Sequence, residues 1–347
     1  MHYNQTHYNF FIGIDVSKQH LDLALLDLAL LDLALLVGGR MITSMRIQKE
    51  PKAIRAALQE LVTTHGLVLK QCVFCLEHTG IYSAHLLGLL DEQGLAIWLE
   101  HPLQIKYSLG MQRGKNDRID AQRIAQYAYK NRDSVRLWKP TRKLITQLQH
   151  LSRLRDRLLS ANNSLKVALA EGKPFSEKDT HQLLTKHCRL SLQALQKDLQ
   201  AVEKQIQHLI DSHEHLSQLF SQLTSMPGMG RVTASELIIS TNEFKDFDSA
   251  KKLACYAGVA PFEHSSGKSL RGRTRVNHQA NKRLKTLLQL VAMRTVRLKN
   301  KFARYYQRMV EEGKNKMLVL NAVRNKLLHT LFALVKHNQK YDENYAL

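Results

Sequence analysis

The sequence predicts an α/β domain followed by a mostly helical remainder, and three patterns in its 347 residues lead to that fold class. Short apolar strands alternate with helices in residues 8–135, as in an α/β domain with a mixed sheet. Leucines recur at spacings of three and four in residues 141–225, which predicts long coiled-coil helices. Residues 226–340 combine a glycine-rich turn, a serine-containing loop and basic helices, so we expect three regions with these boundaries.

The elements of the first region follow from apolar runs and their periodicity. Strands are predicted at 10–16, 40–47, 68–76 and 96–99, because each is a compact apolar run of strand length. Helices are predicted at 51–65, 81–91 and 117–129. The first of these begins at Pro51, where proline suits a first helical turn, and the last begins with acids, which the helix dipole favours.

A tandem repeat interrupts this region. The unit Leu-Asp-Leu-Ala-Leu occurs three times between Leu21 and Leu35. A period of five residues fits neither a strand nor a helix, so successive copies turn their aspartates to different sides. We expect one copy to form the second strand of a hairpin, and we interpret the other two as a ten-residue duplication through slippage in the coding DNA.

The second region predicts two long helices. Their seams are separated by Gly172-Lys173-Pro174. The second seam runs from Leu192 to Leu223 with a lapse at His213, and the first, from Leu144 to Leu169, is less regular. The helices either fold back as an antiparallel hairpin or pair with another chain, and the sequence leaves both open.

Net charge indicates the class of partner. The chain carries 51 Lys and Arg against 30 Asp and Glu, and residues 251–347 alone hold 21 basic and 5 acidic side chains. A surplus of this size points to a polyanion, with nucleic acid first. The polar start and the lack of an uncharged span of membrane length favour a cytoplasmic protein without a membrane partner. Cys72 and Cys75 have half a zinc-site spacing, but they favour an apolar strand because no second pair follows.

Four acids are candidates for metal binding. Asp15 lies in the first strand, Glu77 ends a later one, and Asp117 and Asp120 share a face at the start of a helix. Gly13 leaves room beside Asp15 on the same strand face. Carboxylates from separate elements are the ligands that Mg²⁺ requires, and two such ions can stabilise the attacking and leaving oxygens of a phosphodiester. Taken singly, each acid is more typical of a solvated side chain.

Two segments of the third region are candidates for nucleic-acid contact. Pro227-Gly228-Met229-Gly230 before a helix resembles a helix-hairpin-helix turn, whose amides at Gly228 and Gly230 can hold a phosphate. The loop from Gly258 to Gly272 offers serine hydroxyls beside cations, although spacing alone favours a flexible basic loop. The cations nearest its serines are Lys268, Arg271, Arg273, Arg275, Lys282 and Arg283.

Five sequence blocks in order resemble one family. Residues 11–18 (FIGIDVSK), 77–80 (EHTG) and 115–121 (KNDRIDA) are similar to the three blocks of the DEDD transposases. Residues 226–230 (MPGMG) and 256–272 (YAGVAP…SSG…RG) are similar to the C-terminal transposase block of the same family. This is the insertion-sequence "IS one-ten" family, which includes the "IS eleven-eleven" group and Piv-type DNA invertases.

The resemblance implies a fold and a chemistry. It implies an RNase H-like (RuvC-like) N-terminal domain with metal at Asp15, Glu77, Asp117 and Asp120, and a nucleophilic serine at Ser266, with Ser265 as the fallback. It also implies homo-oligomers, dimers or tetramers in which acids of one protomer meet the serine of another. Double-stranded DNA at the element ends and target would be the substrate, a structured non-coding bridge RNA the guide, and the bacterial nucleoid the place of action.

Three functions therefore stay open from the sequence. The first is a transposase or site-specific recombinase that uses Mg²⁺ and a serine nucleophile. The second is a RuvC-like nuclease or junction resolvase that uses metal-activated water without a covalent intermediate. The third is a nucleic-acid-binding protein whose catalysis has decayed. A covalent protein–DNA adduct distinguishes the first from the other two.

Overall fold

A computed structural model describes residues 8–16, 30–37, 40–48, 50–78, 80–108, 110, 117–266, 270–276 and 279–343. The chain divides into two compact units, residues 1–140 (unit 1) and 141–347 (unit 2).

Unit 1 is built on one five-stranded sheet. Its strands are β1 (Phe10–Val16), β2 (Leu30–Val37), β3 (Arg40–Gln48), β4 (Cys72–Glu77) and β5 (Ala96–Glu100), and its helices are α1 (Pro51–His65), α2 (Ala84–Glu92), α3 (Pro102–Ser108) and α4 (Asp117–Lys130). The strand order is β3-β2-β1-β4-β5. β1, β2 and β3 pair antiparallel, whereas β1, β4 and β5 are parallel. The sheet is therefore mixed, as predicted.

Each face of the sheet carries its own core. Ile12, Ile14 and Phe74 point to one side, where they join buried residues of α1 and α2. Their neighbours Phe11 and Val73 point to the other side and pack against α4. This alternation is the strand period of two, and it places every second residue of β1 under α4.

The tandem repeat contributes one strand. Its third copy, residues 31–35, lies in β2, where Asp32 pairs with Asp15 of β1 in the antiparallel register. One copy therefore forms the second strand of a hairpin, as predicted. The other two copies lie outside the described residues, apart from Leu30 at the start of β2.

Unit 2 is helical apart from one hairpin. Its elements are α5 (Lys143–Gly172), α6 (Lys178–Asp211), α7 (Glu214–Thr224), α8 (Arg231–Ser240), α9 (Ala250–Tyr256), β6 (Pro261–Ser266), β7 (Leu270–Val276), α10 (Lys282–Thr295), α11 (Lys301–Glu311) and α12 (Lys316–Lys336). Within the described residues, α12 is the one helix whose length and composition could cross a membrane. Most of its large apolar side chains, Val323 and Leu327 among them, are buried or packed in the core of unit 2, whereas Met317 and Leu318 are exposed.

The two long helices pack against each other within the chain. α5 and α6 are joined by five residues and form an antiparallel hairpin, and Arg155 of α5 binds Glu203 of α6 at 2.7 Å. The predicted second seam does not stay on one helix. Its lapse at His213 coincides with the break between α6 and α7, where His213 has extended backbone angles and precedes α7.

The segment predicted as a flexible loop is instead a β-hairpin. β6 and β7 pair antiparallel, with a register shift between Phe262 and His264.

The turn at residues 227–230, which we predicted to offer amides at Gly228 and Gly230 to a phosphate, is partly packed inside unit 2. Gly228 has φ +80°, and a Cβ there would overlap the Thr295 side chain of α10. The Thr295 hydroxyl donates to the Pro227 carbonyl at 2.7 Å, so the turn packs against α10 at this point.

Candidate active site

Two predicted acids lie at adjacent strand ends. β1 and β4 are parallel neighbours whose register pairs Ile14 with Leu76, so Asp15 and Glu77 are the next residues along each strand. Both are half-buried, and their strand positions place them on the sheet face that α4 covers. Parallel pairing therefore places the two carboxylates at the same edge of the sheet.

Gly13 lets α4 approach this face. A Cβ at Gly13 would overlap backbone atoms of Ala121 and Ala125, so the helix backbone lies directly on β1. No residue with a side chain fits there without moving the helix. Because Asp15 is two residues after Gly13 on the same face, this contact fixes where α4 lies relative to Asp15.

The other two predicted acids lie in the first turn of α4. Asp117 is the first residue of the helix, one turn before Ala121, and its side chain lies outside the described residues. Asp120 directly precedes Ala121 and is half-buried, and its carboxylate forms an ion pair with Arg123 at 2.8 Å. The fold thus places the start of α4 at the same strand pair that carries Asp15 and Glu77.

The pKa of a buried thiol is raised by the negative charge near this sheet edge. Burial raises the pKa of Cys75 well above its usual range, and the charges of Glu100 and Glu77 raise it further. Burial also raises the pKa of Cys72 to about 12. Both thiols are fully buried and stay protonated, so they serve the core, as the sequence favoured.

The carboxylate oxygens of these acids are donor atoms that suit a hard divalent cation. Asp15, Glu77 and Asp120 offer carboxylate oxygens from two strands and a helix, which is the ligand type of Mg²⁺ and Mn²⁺. Among the described side chains, no cluster of three or more His, Cys, Asp or Glu has metal-binding geometry. The Asp117 carboxylate lies outside that set.

Glu100 is an acid that the sequence reasoning missed. It ends β5 and pairs with Glu77 in the register, which adds a third carboxylate to the same sheet edge. Tyr127 Oη and Trp98 Nε1 donate to its Oε2 at 2.9 and 3.3 Å, and the His101 amide donates to its Oε1 at 2.8 Å. Its position at the end of a parallel strand, like that of Glu77, is the signal that could have identified it.

The candidate serines lie at the end of the unit 2 hairpin. Ser266 is the last residue of β6 and pairs with Leu270, while Ser265 pairs with Arg271. The side chains of both serines lie outside the described residues. The hairpin base is anchored to the core, because Asn321 of α12 donates to the carbonyl of Val259 at 3.0 Å.

The predicted basic contacts have different surroundings. Arg275 and Lys282 are exposed, the latter at the start of α10. Lys268 and the side chains of Arg271 and Arg273 lie outside the described residues. Gly230 directly precedes α8, and a Cβ there would meet nothing within 4 Å, whereas Gly228 packs on α10.

Arg283 is engaged inside unit 2. Its guanidinium binds Glu236 of α8 at 2.8 Å, forms an ion pair with Asp156 of α5 and donates to the Ser152 hydroxyl at 2.9 Å. Burial raises the pKa of Glu236, although Ser240 and Ser152 oppose this by hydrogen bonding. The sequence could not reveal this network, because its members come from three distant helices.

Comparisons with known proteins agree with the sequence blocks. A family profile described as "Transposase", of the DEDD type, matches residues 12–171, and one described as "Transposase IS116/IS110/IS902 family" matches residues 221–307. The chain belongs to the IS110 family of DEDD transposases. This is the "IS one-ten" family that the motifs resemble, and its enzyme class is that of DNA transposases and recombinases.

Three relatives match between 44% and 96% of this chain. A pilin gene-inverting protein of Moraxella bovis is 27% identical over 96% of this chain and 98% of its own length. A transposase for insertion sequence element IS1111A of Coxiella burnetii is 28% identical over 65% of this chain and 68% of its own. An IS110 protein of 43.6 kDa from Streptomyces coelicolor is 30% identical over 44% of this chain and 36% of its own.

One solved structure is similar to part of the chain. RuvC of T. thermophilus, in complex with a Holliday junction substrate, covers 37% of this chain and 99% of its own with 14% identity and a TM-score of 0.27. A TM-score this low adds nothing to the argument for the fold, which therefore stands on the strand order and the family.

Proposed function

We propose that this IS110-family protein is the transposase of an insertion sequence, cutting and rejoining DNA with Mg²⁺-binding acids and a serine nucleophile. The observation that carries the proposal is the parallel register that places Asp15 and Glu77 together near the ends of β1 and β4, on the face where Gly13 admits α4. Asp117 and Asp120 start that helix and complete the four acids. We assign the domain an RNase H-like, RuvC-like fold on the same basis.

The acids would hold two Mg²⁺ ions at the sheet edge. When bound, such ions supply positive charge to the oxygens of a scissile phosphodiester. The protein residues keep the metal-binding carboxylates in position. The mixed sheet keeps Asp15 and Glu77 at fixed positions, and the α4 contact at Gly13 keeps Asp117 and Asp120 in one place. Preorganised carboxylates avoid the cost of assembling the site during the reaction.

Ser266 is the proposed nucleophile. Its Oγ forms a bond to phosphorus, the bond from phosphorus to a deoxyribose oxygen breaks, and the serine proton leaves to water or to that oxygen. A freed strand hydroxyl later attacks the same phosphorus and releases the serine. One phosphoester replaces another at each step, so no external energy source is needed. Ser265, one residue earlier, is the alternative nucleophile.

A trapping experiment tests both halves of this proposal. Purified protein is incubated with Mg²⁺ and duplex DNA containing the element ends, denatured, and assayed for a covalent adduct. We expect an adduct in the wild type and in Ser265→Ala, and none in Ser266→Ala. Asp15→Asn should also lower the rate of adduct formation by at least about a hundredfold. Asp91→Asn, an exposed acid on α2, is the matched control and should keep it.

Each other result points to a different function. An adduct that persists in Ser266→Ala but disappears in Ser265→Ala moves the nucleophile by one residue. Metal-dependent cleavage without any adduct indicates the RuvC-like nuclease. Neither cleavage nor adduct, with retained DNA binding, indicates the decayed nucleic-acid-binding protein.

We also propose a guide RNA and a homo-oligomer, a dimer or tetramer. Support for the oligomer is the apolar surface that remains after α5 and α6 have packed, since Leu183, Leu184 and Leu190 of α6 are about half-exposed or more. Light scattering of the wild type and of Leu184→Gln/Leu190→Gln tests the oligomer. Sequencing of co-purified RNA, then ribonuclease treatment and add-back of that RNA, tests the guide.

A further inference from the structure

A cavity of about 550 Å³ opens between α11 and α12 in unit 2. None of the acids, serines or glycines of the proposed function lies in it. Six of the eight side chains that line it are basic, aromatic or amide-bearing, and the other two are Thr330 and Ala333. α11 contributes Lys301, Phe302 and Tyr305, and α12 contributes Asn325, Lys326 and His329. Its size falls in the range of small-molecule sites.

The cavity is positively charged. Two lysines line it, and no described acid is among the lining residues. Lys326 Nζ lies 4.7 Å from the centroid of the Tyr305 ring, and Lys301 Nζ lies 5.3 Å from that of Tyr341. An ammonium group on a ring face keeps its N–H donors available to an anion. The nearby Glu343 carboxylate is matched by Arg304 at 3.1 Å.

The cavity also offers groups that suit a nucleobase. The Tyr305 ring is half-buried at the wall, and a flat partner can stack on it once Lys326 has moved from its position over the ring. The side-chain oxygen of Asn325 is buried and has no hydrogen-bond partner in the described structure. A buried amide oxygen without a partner is costly, so a ligand that donates a hydrogen bond to Asn325 once this side chain turns toward the cavity is favoured.

We propose that this cavity binds one nucleotide of a single-stranded nucleic acid. Its phosphate would lie between Lys301 and Lys326, its base would stack on Tyr305, and a base N–H would donate to Asn325. Lys326 must then swing from the ring toward the phosphate, which its flexible stem permits. A paired base in a duplex is stacked on both faces and cannot enter, so the ligand is single-stranded. This inference does not depend on the acids or Ser266.

Fluorescence anisotropy with the full chain tests the proposal. The probes are a short labelled oligothymidylate, an oligouridylate of the same length, and an abasic oligomer with the same backbone. Tyr305→Leu should weaken oligothymidylate binding about tenfold and leave abasic binding unchanged, because only stacking is lost. Tyr305→Phe should restore binding. Lys326→Ala should weaken all three probes and lower the slope of log affinity against log salt by about 0.7.

Controls separate these effects from misfolding and from general charge. Lys316→Ala removes the same charge from α12 at an exposed position ten residues away and should leave the salt slope nearly unchanged. Thermal melting of each variant checks that unit 2 stays folded. Comparing the deoxy and ribo probes shows whether the strand is DNA or RNA.

Two outcomes would overturn the proposal. If Tyr305→Leu weakens the abasic and thymidylate probes equally, no base stacks there. If Tyr305→Leu weakens the binding of a labelled duplex as much as that of oligothymidylate, the cavity does not select a single strand. If the wild type forms no covalent adduct but the binding effects above are observed, the proposed function is refuted and the cavity proposal still stands.

Discussion

The two units of the chain place their candidate functional groups in different ways. Unit 1 is almost balanced in charge, with 16 basic and 13 acidic residues, and its candidate acids lie near the ends of β1 and β4 and at the start of α4. Unit 2 carries 35 basic and 17 acidic residues, and its candidates lie on a hairpin, at helix starts and around a cavity. In unit 1 the backbone positions each group, whereas in unit 2 many cations contribute small, additive amounts.

This difference predicts which substitutions matter most. In unit 1, a change in how closely two backbones approach should be severe, because it moves several acids at once. In unit 2, one exposed cation contributes one phosphate contact among many. Only a cation that is engaged inside unit 2, such as Arg283, should affect stability strongly.

The largest effect is expected from Gly13→Ala. The added methyl group overlaps backbone atoms of Ala121 and Ala125, so α4 must move from β1. We expect a loss of about 3 kcal/mol or more in unfolding free energy and loss of metal-dependent cleavage. Gly88→Ala on α2 is the matched control, since a Cβ there meets nothing within 4 Å and alanine favours a helix. Urea unfolding of both variants is the measurement, and equal stabilities would refute the packing argument.

The sequence was sufficient for the elements that depend on local patterns. Apolar runs, with a proline or acids in the first helical turn, identified β1, α1 and α4. Gly13 indicated room beside Asp15, but not that the backbone of α4 occupies it. The sequence was insufficient where distant segments meet. Glu100 becomes part of the acidic edge only through the parallel pairing of β4 with β5. The side chain of Arg283 faces acids of α5 and α8, which no spacing along the chain indicates.

A smaller effect is expected from Arg283→Met. Removing the guanidinium leaves Glu236 buried without its cation, at a cost of about 2 kcal/mol, reduced because Arg283 is 27% exposed. Burial already raises the pKa of Glu236, so the native state keeps a proton that the unfolded state loses. Stability should therefore fall as the pH rises above the ordinary glutamate value, more steeply in Arg283→Met than in the wild type.

The double variant Arg283→Met/Glu236→Gln completes this test. It removes both charges and should recover most of the stability and flatten the pH dependence. The DNA affinity of these variants, measured in parallel, distinguishes a structural role of Arg283 from a nucleic-acid-binding role. A loss of affinity at unchanged stability would show that Arg283 contacts nucleic acid rather than bracing unit 2.

Alkaline pH should weaken unit 1 through Cys72. Burial raises the pKa of this thiol from 9.0 to about 12, so between these values the folded protein keeps a proton that the unfolded chain has lost. The unfolding free energy should fall by about 1.4 kcal/mol per pH unit in that window from this group. Cys72→Val removes this contribution and should show a shallower decline between pH 9 and 10.5. Cys188→Ser, on α6 in unit 2, is the control and should keep the wild-type slope.

The smallest effect is expected from deleting residues 21–30, two copies of the repeat. The remaining copy still forms β2, and Ser17 to His20 would then join Val16 to Leu31 as a four-residue hairpin loop, a common length. We expect an unchanged melting temperature or a slight increase, because a shorter loop costs less entropy to close. Deleting all three copies, residues 21–35, removes the strand that pairs with both β1 and β3 and should abolish folding. If the ten-residue deletion also abolishes folding, the additional copies are structural, and the duplication is not an accident that unit 1 merely tolerates.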